Sequence, residues 1–525
     1  MAGGVEPVKA RDVGHGARIA AGAVALAVGL PLLAVLVHAE GGGWPDAGDR
    51  AAIRFTLWQA AVSAAISAGL AVPVARALAR RAFPGRGALL SLFGAPFILP
   101  SVVAAGAILS VFGRTGAVNE GLRAAGLPEV SVYGPQGVIL AHVFTNLPLA
   151  IRLILQGWAD IPAERFRLAE SLNFTASDIA RHLERPMLRA VLPGAFLAVF
   201  LVCLTSFAVA LMLGGGPRAT TVELAIYQAF RFDFDPGRAA GLAAVQLLLS
   251  GAVAMAALRI ALPAGIGAGA GRRVAVRAPA GGWRAAGDVA LVGGAAGFLL
   301  VPLVSVLAAG VPHLAGLPPS VWQAAGRSML VALAATALAL AAAVPMALGA
   351  ARMASGAARR VEGLGMLAMV ASPLVTGTGL FLILRPVADP QALALPMTAF
   401  ANALAALPFA LRILAMPARE AEAGYGRLAD SLGMTGWARA RAAVLPRLRR
   451  PLCFAAGLSA ALSVGDLGVA ALFGDPDRAT LPVAVGRLMG AYRMDQAAGA
   501  SLLLVGLGFG MFLLFDRLGG RDAGA

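Results

Sequence analysis

The chain has 525 residues, of which 59% are hydrophobic and only 13% charged, with a mean hydropathy of +0.79. In soluble domains about a quarter of residues are charged, so a water-soluble fold is excluded and a polytopic membrane protein is expected. The formal charge of +16 comes with no basic extramembrane domain carrying interleaved aromatics, which argues for a lipid bilayer as the surrounding medium and against nucleic acid as a partner.

A bilayer core takes about 20 apolar residues per helix. Twelve spans are predicted, centred near residues 28, 67, 100, 147, 201, 249, 297, 337, 373, 404, 462 and 507. They are continuous apolar runs without period-two alternation, which excludes a barrel. The first, Ile19 to Val37, resembles a secretory signal ending at Val37-His38-Ala39. Its removal, however, leaves an odd number of spans. Most Lys and Arg fall in one alternate set of loops and in both termini, so the positive-inside rule predicts both termini to be cytoplasmic. The fold class is an all-α integral membrane protein of about 12 transmembrane helices.

In chain order, the second span carries Trp58-Gln59-Ala60-Ala61, which reads as the counterpart of Trp322-Gln323-Ala324-Ala325. The fourth span holds His142, an interfacial or packing residue or a proton relay. It also holds Asn146, which marks either a packing kink beside Pro148 or an irregularity on a translocation path. A polar loop follows at 160–187. Phe166, Ala169 and Leu172 recur there at helical spacing, predicting a short amphipathic helix. A bend at Asn173 and a second helix, Ser177 to Glu184, ending before Pro186, complete a helix-turn-helix. The fifth span holds Ser206 and Cys203. The segment Gly214 to Ala229 and the sixth span close the first half.

A stretch rich in Gly, Ala and Arg at 266–284 reads as a cytoplasmic linker. It divides the chain into repeats 1–265 and 285–525. The polar loop recurs at 418–447 without a gap and 260 positions on: Arg167, Leu168, Ala169, Glu170, Ser171, Leu172, Asn173 and Pro186 match Arg427, Leu428, Ala429, Asp430, Ser431, Leu432, Gly433 and Pro446. A correspondence this long marks internal duplication. Six spans per half make the repeats parallel, related by an axis along the membrane normal, with the path between them. In the eleventh span Asp466 stands where the first half has Ser206. It reads either as a path carboxylate that guides a cation or as a group at a wet end, bonded to Ser463.

The duplicated loop, with Gly433 or Asn173 followed at fixed spacing by Pro446 or Pro186, resembles the cytoplasmic coupling loop of binding-protein-dependent ABC importer permeases. Arg167-Leu168-Ala169 and Arg427-Leu428-Ala429 stand in place of that family's Glu-Ala-Ala. Further motifs, among them Phe83-Pro84-Gly85-Arg86, Asn146-Leu147-Pro148 and above all Gly214-Gly215-Gly216-Pro217-Arg218-Ala219-Thr220-Thr221-Val222-Glu223-Leu224-Ala225-Ile226-Tyr227-Gln228-Ala229, are similar to the fused permeases of bacterial thiamine ABC transporters. The resemblance implies the type I importer permease fold in an inner membrane. It also implies two ATPase subunits docked on the coupling loops, and a periplasmic binding protein docked near 114–135, 213–237, 386–392 and 474–495. Ferric-iron permeases share the plan and are the alternative, followed by a self-energised secondary transporter.

A phosphate-binding P-loop needs a lysine, and the only lysine is Lys9. No catalytic residue, cofactor or metal is therefore expected in this chain; ATP and magnesium would be bound by the partner ATPase. Cys203 and Cys453 lie in apolar spans, which predicts neither disulfide nor metal. Asp466→Asn is expected to weaken thiamine uptake by reconstituted vesicles while leaving assembly with the ATPase intact; normal uptake would take Asp466 off the path.

Overall fold

The computed structural model describes residues 13–39, 46–93, 99–259, 283–474 and 478–520. Nearly all of the linker 266–284, and Lys9, lie outside them. Among the described residues there is no strand. The first half runs α1 (Val13–Ala39), α2 (Ala47–Arg80), α3 (Arg86–Leu92), α4 (Ser101–Phe112), α5 (Ala117–Ala124), α6 (Pro135–Ala159), α7 (Ala163–Ser171), α8 (Ala176–Ile179), α9 (Arg185–Leu204), α10 (Ala208–Leu213), α11 (Val222–Arg231) and α12 (Pro236–Arg259). The second runs α13 (Trp283–Gly310), α14 (Pro319–Ala350), α15 (Ser355–Met366), α16 (Pro373–Leu384), α17 (Ala394–Ser431), α18 (Gly436–Arg439), α19 (Leu445–Val464), α20 (Gly468–Phe473), α21 (Leu481–Gly490) and α22 (Met494–Gly520).

Among the described residues eleven helical stretches are long and apolar enough to cross a membrane, and a twelfth if the bent pair Ser355–Met369 and Pro373–Leu384 is one span. That pair turns by 87°, so the span expected near 373 is broken at its centre. Ser372 there spends its side chain on capping α16, accepting the Val375 N–H at 3.1 Å. The span expected near 100 begins only at Ser101, with Pro100 at its N-cap.

The element order recurs in the two halves with two differences. A segment with its own helix, α5, separates α4 from α6, whereas α16 is followed by α17 after only a short turn. In the second half, α17 absorbs the counterparts of both α6 and α7. Pro162 caps α7 and separates it from α6, but the residue 260 positions on is Glu422, which lets the helix continue.

Each half lends its first helix to the other. α1 packs on α14, α15 and α16, and α13 packs on α2 and α4. Ala17, Ala21, Val24 and Val28 of α1 belong to one apolar cluster with Ala343, Met346, Ala347, Val361 and Leu411. Lipid gives helices no hydrophobic reason to associate, so close van der Waals contact between small residues has to hold them. The tightest approach is at Gly379 of α16, where a Cβ would lie 2.1 Å from the Pro31 carbonyl oxygen of α1.

The register of α2 against α14 differs from expectation. Pro73 matches Pro345 inside the helices, Thr56 matches Ser328, and Arg80 matches Arg352, all 272 positions apart. The two Trp-Gln-Ala-Ala motifs, 264 apart, therefore sit about two turns out of step. Trp58 and Trp322 are both half-exposed. Depth is set by hydroxyls with buried partners: Thr56 Oγ1 accepts the Val222 N–H at 2.9 Å and Ser328 Oγ accepts the Leu481 N–H at 2.8 Å.

Gly379→Val should force α1 and α16 apart and lower stability by about 2 kcal/mol, read as a lower thermal midpoint of the purified protein. Gly294→Val, where a side chain meets nothing within 4 Å, should leave that midpoint unchanged.

Candidate functional site

Two regions gather the residues singled out above: the pair of polar loops at one end of the helices, and a cavity between the halves toward the other end.

In the first loop, α7 ends with the Leu172 N–H on the Leu168 carbonyl at 3.0 Å, the Asn173 N–H on Glu170 at 3.0 Å and the Phe174 N–H on Ala169 at 2.9 Å. The second repeats this pattern: Leu432 on Leu428 at 3.1 Å, Gly433 on Asp430 at 3.0 Å and Met434 on Ala429 at 2.9 Å. Closing a helix in this way needs a left-handed residue; Asn173 has φ +52 and Gly433 φ +66. Ser171 and Ser431 each donate to their own helix, to the carbonyls of Leu168 and Leu428 at 2.8 Å. Ala169 and Ala429 are buried, while Arg167, Arg427, Glu170 and Asp430 are exposed.

Phe166 packs inward as expected, but Leu172 does not join it. Leu172 is 57% and Leu168 59% exposed, and their counterparts Leu432 and Leu428 are 62% and 57% exposed. Residues four apart share a helical face, so each loop presents a pair of leucines outward from the bundle.

The expected end of the second short helix before Pro186 is not observed. α8 passes through a π-turn, Ala180–Glu184, directly into α9, and α18 does the same through Ala440–Val444 into α19. The wider turn makes room for the rings of Pro186 and Pro446, which stand in the first turns of α9 and α19 and have no N–H to give.

Ion pairs absent from the sequence reading pin both loops. Glu184 is buried and holds Arg76 Nε at 2.9 Å and Arg80 Nη2 at 2.8 Å, both from α2. In the second loop Arg439, only 3% exposed, bonds Asp430, Glu422 and the Gly426 carbonyl, the last at 3.0 Å. Glu422 also faces Arg352, just past α14, at 3.4 Å. The first loop has Ile179 where the second has Arg439, and closes with a capping box between Thr175 and Asp178 instead.

The cavity measures about 450 Å³ and lies between α4, α10 and α11 of one half and α20 and α21 of the other. Three of the chain's four tyrosines, Tyr133, Tyr227 and Tyr492, line it, together with Arg231, Arg487 and apolar side chains. Its size falls within the usual ligand-pocket range of about 300–1,000 Å³. α11 and α21 were read from sequence as part of extramembrane loops. In the structure much of 219–230 is buried, because Val222, Ile226 and Ala229 pack into the core.

Of the candidate path residues, Asp466 adjoins the cavity through its neighbour Leu467. Its carboxylate lies against the backbone at the start of α20, and its Oδ2 is buried without a partner. Ser463 meets it only through the backbone, the Asp466 N–H reaching the Ser463 carbonyl at 3.3 Å. Ser206 contributes its carbonyl to Thr221 at 3.5 Å. Asn146 donates to the His142 carbonyl at 2.9 Å and to Cys203 Sγ at 3.5 Å, inside the contact of α6 with α9. Sequence reading missed Glu223. This buried acid of α11 lies beside Ser372 of the other half and leaves Oε1 unpartnered. With the first residues of α11 and α21 as equivalents, the position of Glu223 is taken by Pro482 in the second half. Its signal was available as the only acidic residue in the Gly214 to Ala229 segment.

No family model matches the chain. It is 38% identical over 518 residues to the thiamine transport system permease protein ThiP of Salmonella typhimurium, covering 94% of each chain. It is likewise 38% identical over 501 residues to ThiP of Escherichia coli, covering 91% of each, and 32% over 469 residues to that of Haemophilus influenzae, covering 87% of each.

Arg439→Ala should loosen the second loop by about 2 kcal/mol, since bonds to charged groups are lost and two carboxylates are left facing each other. Faster amide exchange at 422–444, with 162–184 unchanged, is the expected reading.

Proposed function

The chain belongs to the thiamine-transport permeases of ABC importers, and from this we propose that it is the fused subunit through which thiamine and its phosphates cross the bacterial inner membrane. It is a multi-pass membrane protein of the transporter, and family membership implies an ATPase and a substrate-binding protein as partners. The more detailed reading is two ATPase copies, one per polar loop, beneath a membrane in which both termini face the cytoplasm. ATP and magnesium belong to those ATPases, so this chain supplies no catalytic group of its own.

The observation that carries this reading is the matched pair of loops. Each offers two outward leucines over a buried alanine and an identical helix end, and each is tied down by ionic contacts on its inner side. Burying an exposed leucine contributes about 1.5–3 kcal/mol, so the four leucines supply a docking surface that does not require the family's glutamate. Arg167 and Arg427 flank the leucines and take the ionic partners on the ATPase.

The cavity supports the substrate side of the reading. Thiamine carries a fixed cationic ring, and tyrosine faces attract such rings. Arg231 and Arg487 suit the phosphate of a phosphorylated form, since guanidinium groups match phosphate oxygens. Asp466, beside the cavity, adds a negative charge toward the cation. ATP-driven closure of the ATPases would move the two loops and rock the halves about the path between them.

Replacing Leu168, Leu172, Leu428 and Leu432 by Asp should abolish co-purification of the ATPase and ATP-driven thiamine uptake while the variant still folds; retained co-purification would remove the loops from the interface. Separately, a bulky residue at Ala169 or Gly433 should leave ATP hydrolysis running but uncoupled from uptake.

A further inference from the structure

The corrected register of α2 and α14 brings four residues into two matched pairs. Near the loop end, Arg80 holds Glu184 of the first loop and Arg352 holds Glu422 of the second. Toward the other end, Thr56 receives the first amide of α11 and Ser328 the first amide of α21. In both halves the hydroxyl and the arginine are 24 residues apart, which at 1.5 Å per residue is about 36 Å along α2 and about 33 Å from Ser328 to the end of α14, with Arg352 in the turn just beyond. Both lengths exceed the hydrocarbon core of about 30 Å, so each helix connects the two sides of the membrane.

The contacts at the two ends are of the kind that transmits displacement. First-turn amides have no partner within their own helix, and Thr56 and Ser328 are fully or almost fully buried, so α11 and α21 find their acceptors on α2 and α14. Glu184 is buried as well and accepts from both Arg76 and Arg80. α11 supplies Tyr227 and Arg231 to the cavity wall, and α21 supplies Val483, Gly486 and Arg487. Pro73 and Pro345 stand inside the two helices, each 17 residues after its hydroxyl.

We propose that α2 and α14 are a pair of tie rods joining the ATPase-docking loops to the cavity-lining helices α11 and α21, with Thr56, Arg80, Ser328 and Arg352 as the positioning residues at their ends. This rests on the reading of the loops as docking sites. When the ATPases close, Glu184 and Glu422 draw the near ends of the rods, and α11 and α21 follow at the far ends. The same linkage carries the arrival of a loaded binding protein back to the ATPases. The two halves meet the requirement through different arms of the loop, since Glu184 is on the returning arm and Glu422 on the outgoing one.

Two sets of substitutions test it in the full transporter reconstituted in lipid vesicles with thiamine-loaded binding protein. Thr56→Val with Ser328→Ala releases the far ends, and Arg80→Gln with Arg352→Gln, made together with Arg76→Gln so that α2 keeps no hold on Glu184, the near ends. Each release should cut the stimulation of ATP hydrolysis by binding protein at least tenfold, and all the changes together should lose no more than about twofold beyond either release, because links in series fail once. Thr56→Ser with Ser328→Thr keeps both acceptors and should restore stimulation. Retained stimulation in either release, losses that multiply, or no rescue by the conservative pair would overturn the rods. Amide exchange of the permease alone decides without any ATPase, and without Thr56→Val should that variant not fold. In Arg76→Gln, Arg80→Gln and Arg352→Gln combined, exchange at 222–231 and 481–490 should quicken at least fivefold, and unchanged exchange there would equally overturn the proposal. A wild-type complex that binding protein fails to stimulate would instead overturn the functional reading, and the exchange result would still judge the rods.

Discussion

In lipid every polar group must find its partner inside the protein, and the few that do so here hold the architecture in register. Thr56 and Ser328 satisfy the first amides of α11 and α21 and thereby set the depth at which these short helices stand. Gln59 and Gln246 reach the carbonyls of Cys203 and Leu204 at the frayed end of α9. Asn402 does the same for Ser463 at the end of α19. The chain breaks its helices between α9 and α10 and between α19 and α20, and each break survives because side chains from neighbouring spans take up the freed backbone groups.

The halves are alike in backbone and unlike in the charges that lock them. One loop is held by a carboxylate clamped between two arginines of α2, the other by a buried arginine clamped between two carboxylates of its own arms. Between the halves, the buried Glu223 of α11 lies beside Ser372. One half also carries α5 with Asn119 at its centre, bonded to Gly113 and to both backbone groups of Val130, an addition the other half lacks.

Much of the loop region was legible in the chain itself. The 260-position repeat, the left-handed Asn173 and Gly433, and the inward Phe166 and Ala169 follow from local periodicity and turn chemistry, and the structure carries them. Leu172 went to the other face because it lies four residues after Leu168 and shares that residue's outward side, six residues and well round the helix from Phe166. Pro186 and Pro446 read as stops, because nothing local in a sequence announces a π-turn that accommodates the ring. The Trp-Gln-Ala-Ala match misled because a four-residue identity is short, whereas the prolines and hydroxyls that give the register are scattered and individually common.

The sequence alone determined that this is a helical, polytopic, duplicated membrane protein with two matched polar loops, since hydropathy, spacing and repetition are properties of neighbouring residues. Only the tertiary structure decided that α1 and α13 cross to the opposite halves, that α11 and α21 are buried walls of a cavity, and that Arg80 and Arg352 are counterparts. Those facts depend on contacts between residues a hundred or more positions apart, in a medium where small residues such as Gly379 and a handful of buried hydrogen bonds, rather than the hydrophobic effect, choose which helices meet.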